Sequence, residues 1–268
     1  MQQSEPFTVE KRGGIAWLTL NRPEKHNAMD LDFFAVLSQH LQKLTDDGCV
    51  RVVVIKAAGK SFSAGTDLSS VAAMVGGGGA DERRNLHRKI LALQEGISAI
   101  EKCCKPVIAA IHGHCIGGGV DLICACDVRI AEKSTLFSIR ETRMGIIADL
   151  GTLQRLPPII GEGRTRELAL SGRDFSATEA FEMGLVSQVC EERENLYDTA
   201  ETLAWQIADN PALTVMGVKE VLNYSRDSGV DAGLRYVAQK NAAMLLSEDL
   251  TEAFTAFKEK RKPHFKGK

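Results

Sequence analysis

Residues 106–131 read PVIAAIHGHCIGGGVDLICACDVRIA. Two short apolar runs, Pro106–Ile111 and Val128–Ala131, bracket the glycines at 117–119 and an apolar stretch from Val120 to Ala125. Continuous apolar runs of this length suit strands covered on both faces. The glycines precede a short helix over 120–125, so the order is strand, glycine turn, helix, strand. That order predicts an α/β domain.

The same pattern extends upstream. Phe7–Lys11 and Ile15–Leu20 read as strands joined by a Gly13-Gly14 turn. Asp30 is placed to cap a helix over 31–44, with Leu31, Phe34, Leu37, Leu41 and Leu44 at helical spacing. Val52–Ile55 is a further buried strand. Residues 59–68, GKSFSAGTDL, form a loop of small residues. The run at 75–80, VGGGGA, predicts a mobile loop rather than a domain linker, with Gly76–Gly79 its plain flexible part. A helix follows from about Asn85 to Glu101, and Leu136–Ile139 is another strand. Beyond about residue 160 the pattern turns helical, over 163–170, 177–183, 194–208, 212–225, 230–246 and 248–260, with a strand at Val186–Val189. The expected organisation is an α/β core over 1–200 and a helical C-terminal region over 201–268. No repeat of fixed period is present.

The bulk properties exclude several classes. The chain has 268 residues, 44% apolar and 25% charged, with a formal net charge of −2. That balance does not suit a nucleic-acid or membrane binder. No apolar run approaches the roughly 20 residues that span a bilayer. The seven cysteines are an odd number in a chain with a polar start, MQQSEPFTVEKRGG. Its end, HFKGK, is not a peroxisomal address. A reducing, cytoplasmic location of bacterial type is expected.

The glycine loops do not carry the G-x-x-x-x-G-K-[ST] or G-x-G-x-x-G spacing of nucleotide sites. Ala64-Gly65 and Gly117-Gly118-Gly119 each follow a strand and lead toward a helix. Small residues there let backbone N–H groups face a ligand, and two such groups could share one oxyanion. The alternative, that these glycines only permit tight turns and close packing, is equally open at this point.

Several segments together resemble the crotonase (enoyl-CoA hydratase/isomerase) superfamily. They are NRPEKHNAMD at 21–30, SFSAGTDL at 61–68, HGHCIGGGVDLICACDVRIA at 112–131 and GIIADLGTLQRLP at 145–157. AFEMGLVSQV at 180–189 and AFKEKRKPHF at 256–265 continue the likeness over almost the whole chain. The resemblance implies a spiral of ββα units with a helical C-terminal trimerisation region, assembled as a homotrimer or homohexamer. It implies an acyl-CoA substrate, with coenzyme A as part of that substrate and no separate cofactor. It places the oxyanion hole at the amides of Ala64 and Gly118. The CoA would lie along Lys25, His26 and Ala28 and along Ala64, Gly65, Thr66, Asp67 and Leu68. Phe257 and Lys260 match positions near the nucleotide end.

Three carboxylates, Asp121, Glu141 and Asp149, narrow the expectation. Enoyl-CoA hydratases, which resemble this chain, carry Glu at the first two positions and Gly at the third. Asp for the first Glu shortens the reach by a methylene, and proton transfer needs contact at about 2.6–3.2 Å. Asp, Glu, Asp in this order resembles the Δ3,5-Δ2,4-dienoyl-CoA isomerases. By that likeness Glu141 is the C2 base, Asp149 the C6 proton donor and Asp121 an auxiliary charge, with 2-enoyl-CoA hydration the alternative activity. Read without the likeness, Glu141 could pair with Arg140 or Arg143, Asp149 could cap a helix near Leu150, and Asp121 could be a helix-start charge. His112, His114 and Cys115 lack further ligands at metal spacing, so no metal site is expected. The basic end from Lys258 to Lys268 reads equally as a solvated helix end or as an attractor of CoA phosphates.

Overall fold

The computed structural model describes residues 5–74 and 79–268. The run expected to form a flexible loop therefore lies mostly outside the described residues. The chain opens with the hairpin β1 (Phe7–Arg12) and β2 (Ile15–Leu20), then α1 (Leu31–Asp46) and β3 (Val52–Ala57). Next come α2 (Leu68–Met74), α3 (Ala80–Lys102), β4 (Val107–Ile111), β5 (His114–Ile116) and α4 (Gly118–Cys124). β6 (Val128–Glu132) and β7 (Leu136–Ser138) precede α5 (Thr152–Arg155), α6 (Pro157–Ile160) and α7 (Glu162–Ser171). The remainder is β8 (Asp174–Ser176), α8 (Ala177–Glu182), β9 (Gln188–Cys190), α9 (Arg193–Ala208), α10 (Ala212–Ser228), α11 (Val230–Met244) and α12 (Glu248–Glu259).

The main sheet has the order β1-β2-β3-β4-β6-β9, parallel except for the β1–β2 hairpin. A smaller sheet, β5-β7-β8, stands beside it. Strand alternation sends Val53, Ile55, Val107, Ala109 and Ile111 into one apolar layer. Val52, Val54, Ile108 and Ala110 enter the other. Both faces are buried, so the strands read as unbroken apolar runs. α1 and α3 pack together in the first layer, where Leu37, Leu41, Leu93 and Ile97 lie. α9 covers the second layer with Leu196, Ala200 and Ala204. The domain boundary expected at residue 200 falls inside this helix, which lies on the sheet as a whole.

The strand–turn–helix unit of the opening stretch is present. Asp30 does cap α1, its side chain accepting from the Phe33 amide. The α4 helix starts two residues earlier than expected, because Asp121 N–H already donates to Gly117 O. β5, β8 and the short helices α2, α5 and α6 carry too few residues to show a period, and the sequence did not announce them.

The helical region is tied to the sheet by a buried cation. Lys219 of α10 is 7% exposed and donates to Asp127 Oδ2 at 2.8 Å and to Lys105 O at 3.1 Å. Asp127 Oδ2 also accepts from Val107 N–H at the start of β4. Lys219→Met keeps the stem but leaves these acceptors without their cation. It should cost about 2–4 kcal/mol of stability, read as a lowered urea midpoint with the slope unchanged.

Candidate active site

One cavity of about 580 Å³ opens where the glycine turn, the 61–66 loop, α3 and the 141–150 segment meet. Its wall is mainly apolar, with Val71, Met74, Leu86, Ile90, Leu93, Ile116, Met144, Ile146 and Leu150. Its polar lining includes Asp121, Glu141 and Asp149 together. Thus three carboxylates spread over 29 positions face one space. The wall lies partly on α2 and α3.

The turn at 117–119 determines the geometry. Gly117 has φ 50° and ψ −115°, a backbone region costly for any other residue. A Cβ on Gly117 would stand 2.9 Å from Glu141 Oε1, so the Glu141 carboxylate lies directly against the turn. Gly117→Ala would strain the backbone and push that carboxylate aside. Turnover should fall roughly 100-fold and stability by about 1–3 kcal/mol, checked by steady-state kinetics and chemical unfolding of the same sample.

The amides beside the turn differ from the expectation. Ala64 N–H donates to His26 O at 2.9 Å and is not free for a ligand. Gly65 N–H goes to Ser63 Oγ, and Asp67 N–H to Met29 O. Thr66 N–H, between them, has no acceptor among the described residues, and neither has Gly118 N–H. A Cβ on Gly118 would lie 3.3 Å from the Thr66 nitrogen, and one on Gly65 would lie 3.3 Å from the Gly118 nitrogen. The paired free amides are therefore Thr66 and Gly118, both lining the cavity. Gly65, at φ 91°, lets the 61–66 loop approach the turn this closely. The correction is physical. In the parallel bridge of Met29 with Thr66, Met29 N–H donates to Gly65 O and Met29 O accepts from Asp67 N–H; Ser63 Oγ takes the Gly65 N–H, and the Thr66 amide between them is left free. A backbone donor has no side-chain signature, so the sequence could not separate Ala64 from Thr66.

The other expected contacts divide. His26, Ala64, Gly65, Thr66 and Leu68 line the cavity, and His26 Nδ1 lies 3.3 Å from Ser61 Oγ. Lys25, Ala28 and Asp67 do not line it. Lys25 instead lies 3.6 Å from Asp67, whose carboxylate is also bonded by Ser69. Phe257 is 84% exposed, and neither it nor Lys260 reaches the cavity of a single chain. His112 is buried between Gly59 O and the Tyr197 hydroxyl, and burial depresses its pKa to about 4. His114 faces the cavity, so the HGHC residues diverge. Cys115, Cys124 and Cys126 are buried thiols held well above the usual range by burial.

Each carboxyl is held toward its neutral form. Glu141 is pushed up to about 7, first by burial and then by the charges of Asp121 and Asp149. Its Oε2 is buried without a hydrogen-bond partner. Neither neighbouring arginine engages it: Arg140 pairs with Asp174, and Arg143 donates to Ser171 O. Asp121 is 1% exposed and raised to about 6 by burial, against the Thr152 hydrogen bonds that hold it down. Its Oδ1 accepts from Thr152 N–H at 2.6 Å, so Asp121, not Asp149, caps the short helix α5. Asp149 is also raised by burial, and its carboxyl is left facing the cavity. Buried, mutually repelling carboxylates are the ordinary means of keeping one acid protonated and another poised as a base near neutral pH.

An apolar chamber with two inward amides and three tuned carboxyls suits a thioester that must form and discharge an enolate. The chain belongs to the enoyl-CoA hydratase/isomerase family, whose sequence profile matches residues 10–268, and it is an enzyme of the crotonase fold. It is 48% identical over 253 residues to the peroxisomal Δ3,5-Δ2,4-dienoyl-CoA isomerase of Arabidopsis thaliana, covering 92% of this chain and 91% of that one. It is 42% identical to the mitochondrial Δ3,5-Δ2,4-dienoyl-CoA isomerase of Homo sapiens, covering 92% of this chain and 77% of that one. The crystal structure of an enoyl-CoA hydratase from Bacillus anthracis superposes with a TM-score of 0.90 at 34% identity, covering 98% of this chain and 100% of that one. Among the described residues, no helix is long and apolar enough to cross a membrane.

Proposed function

We propose that this enzyme converts 3,5-dienoyl-CoA to 2,4-dienoyl-CoA. The observation that carries the reading is the convergence of Asp121, Glu141 and Asp149 on the cavity beside two unpaired amides. The likeness to named dienoyl-CoA isomerases supports it. The thioester oxygen sits on the Thr66 and Gly118 amides. Glu141 takes a proton from C2, and the charge spreads over the dienolate from the thioester oxygen to C6. Asp149 then delivers a proton at C6. The double bonds move from 3,5 to 2,4, Glu141 is left protonated and Asp149 ionised, and proton exchange with solvent resets the pair. Asp121 stays buried against Thr152 and raises Glu141 by its charge. No metal or resident cofactor enters, since coenzyme A arrives with the substrate.

The rest of the reading concerns setting. Val218, Leu222, Val230 and Leu234 are large apolar residues exposed on α10 and α11. Such a surface suits burial against further copies, so we take the working form as a homotrimer or a homohexamer. In that form Phe257 and Lys260 of α12 would serve a CoA bound at a neighbouring copy. The seven free cysteines fit a reducing compartment, the cytoplasm in this reading. Relatives named peroxisomal and mitochondrial make the compartment a matter for direct localisation.

The test of activity supplies 3,5-octadienoyl-CoA and a 2-enoyl-CoA separately. The conjugated 2,4-diene absorbance should appear with the first. Loss of enoyl absorbance with the second, and no diene from the first, would instead make the enzyme a hydratase.

A further inference from the structure

Asp149 lies on a stretch with little backbone support. Residues 146–149 lie outside helix and strand. Among the described residues, the main-chain groups of Ile147 to Leu150 join no backbone–backbone hydrogen bond. A proton donor on such a stretch needs other restraint to hold its place. The side chains of Ala148 and Leu150 on either side are buried in the core, and the polar restraint comes from one face of α3. Gln94 Nε2 donates to Asp149 O at 2.6 Å. One turn on, Ser98 Oγ accepts from Arg155 at 2.9 Å, and a further turn on Glu101 accepts from the same guanidinium at 3.1 Å. Arg155 reaches back to Leu150 O at 3.4 Å. Its path crosses Gly151, whose φ of 126° favours glycine, and a Cβ there would stand 1.8 Å from the guanidinium and displace it.

Gln94, Ser98 and Glu101 are spaced i, i+4, i+7, a single stripe along the helix. The next residue to this stripe, Leu93, lines the cavity. The same helix therefore walls the acyl chamber and holds the loop carrying Asp149. We propose that Gln94 is a positioning residue for the C6 proton donor, fixing Asp149 through its carbonyl, with Ser98–Glu101–Arg155 securing the following turn. This rests on the reading of Asp149 given above. The consequence is specific: loosening Gln94 should uncouple the two ends of the proton transfer. Glu141 lies against the Gly117 turn, away from the Gln94 contact, so proton removal at C2 should continue while delivery at C6 fails.

The test compares wild type with Gln94→Met, which keeps the shape but cannot donate. A second variant, Gln94→Glu, keeps the length and sets a carboxylate against the Asp149 carbonyl. Isomerisation of 3,5-octadienoyl-CoA is followed in D2O alongside exchange of its C2 hydrogen. Both variants should lose roughly 10–100-fold in kcat, with KM and C2 exchange changed by less than about threefold. Gln94→Glu should be the slower of the two. An equal fall in C2 exchange and turnover, or wild-type turnover in both folded variants, would overturn the proposal. If one variant does not fold, the other decides on the same ratio. Asp149→Asn run in parallel separates the two layers. If that change leaves isomerisation intact, the role of Asp149 fails and the positioning proposal falls with it. If Asp149→Asn is inactive and Gln94→Met is not, only the positioning proposal falls.

Discussion

Asp149→Asn will lower turnover of 3,5-dienoyl-CoA by roughly two to four orders of magnitude, the usual worth of a placed general acid. The fold should survive. The Asp149 carboxyl faces the cavity, whereas the contact that holds the loop is made by its main-chain carbonyl with Gln94. The amide of asparagine keeps the size and loses the transferable proton. Glu141 remains beside the Gly117 turn. The variant should therefore still wash deuterium into C2 from D2O, without forming the 2,4-diene. Solvent exchange followed by NMR, with diene absorbance in parallel, checks both halves. Unchanged diene formation would remove Asp149 from the reaction.

Glu141→Gln will abolish C2 exchange and isomerisation together, and it will also make the protein more stable at alkaline pH. The glutamate has a folded pKa of about 7 against an ordinary value of 4.5, chiefly from burial. Between those values the folded state keeps a proton that the unfolded state has released. Stability therefore falls as pH rises from about 4.5 through about 7, and the loss persists above that. A raised carboxyl of this size costs on the order of 3 kcal/mol above neutrality. Glutamine carries no charge and removes the penalty. The melting temperature of Glu141→Gln should exceed wild type by several degrees at pH 8, and the two should converge toward pH 4. In wild type the same ionisation sets an acid limb: kcat/KM should fall as pH drops below about 7, because the base must be charged. A limb near pH 4.5 would mean that Glu141 is not held in its buried setting. Activity and stability are in tension here because the base is useful only where its charged form is uncomfortable.

The apolar runs, the Asp30 cap and the helical periods of the C-terminal half were legible in the sequence. These are local patterns, fixed by which faces a strand or helix must bury, and residues 106–131 show them plainly. The order of the three carboxylates was also legible, and with it the chemistry to look for. What the sequence could not decide was which groups are left without partners. Ala64 and Thr66 are equally small features of one loop, yet His26 O takes the Ala64 amide, Ser63 Oγ takes that of Gly65 and Met29 O takes that of Asp67, which leaves Thr66 free. In the sequence Asp149 is the candidate cap for a helix near Leu150 and Asp121 a start charge of its own helix, and only packing gives the cap of α5 to Asp121 and frees Asp149. Gln94 reads as an ordinary polar position on an exposed helix until α3 is laid against a loop 55 residues away. Pattern and composition determine the elements, because burial of a face is a local demand. The free amides, the unpaired carboxyls and their shifted ionisation are decided by long-range contacts, and those exist only in the tertiary structure.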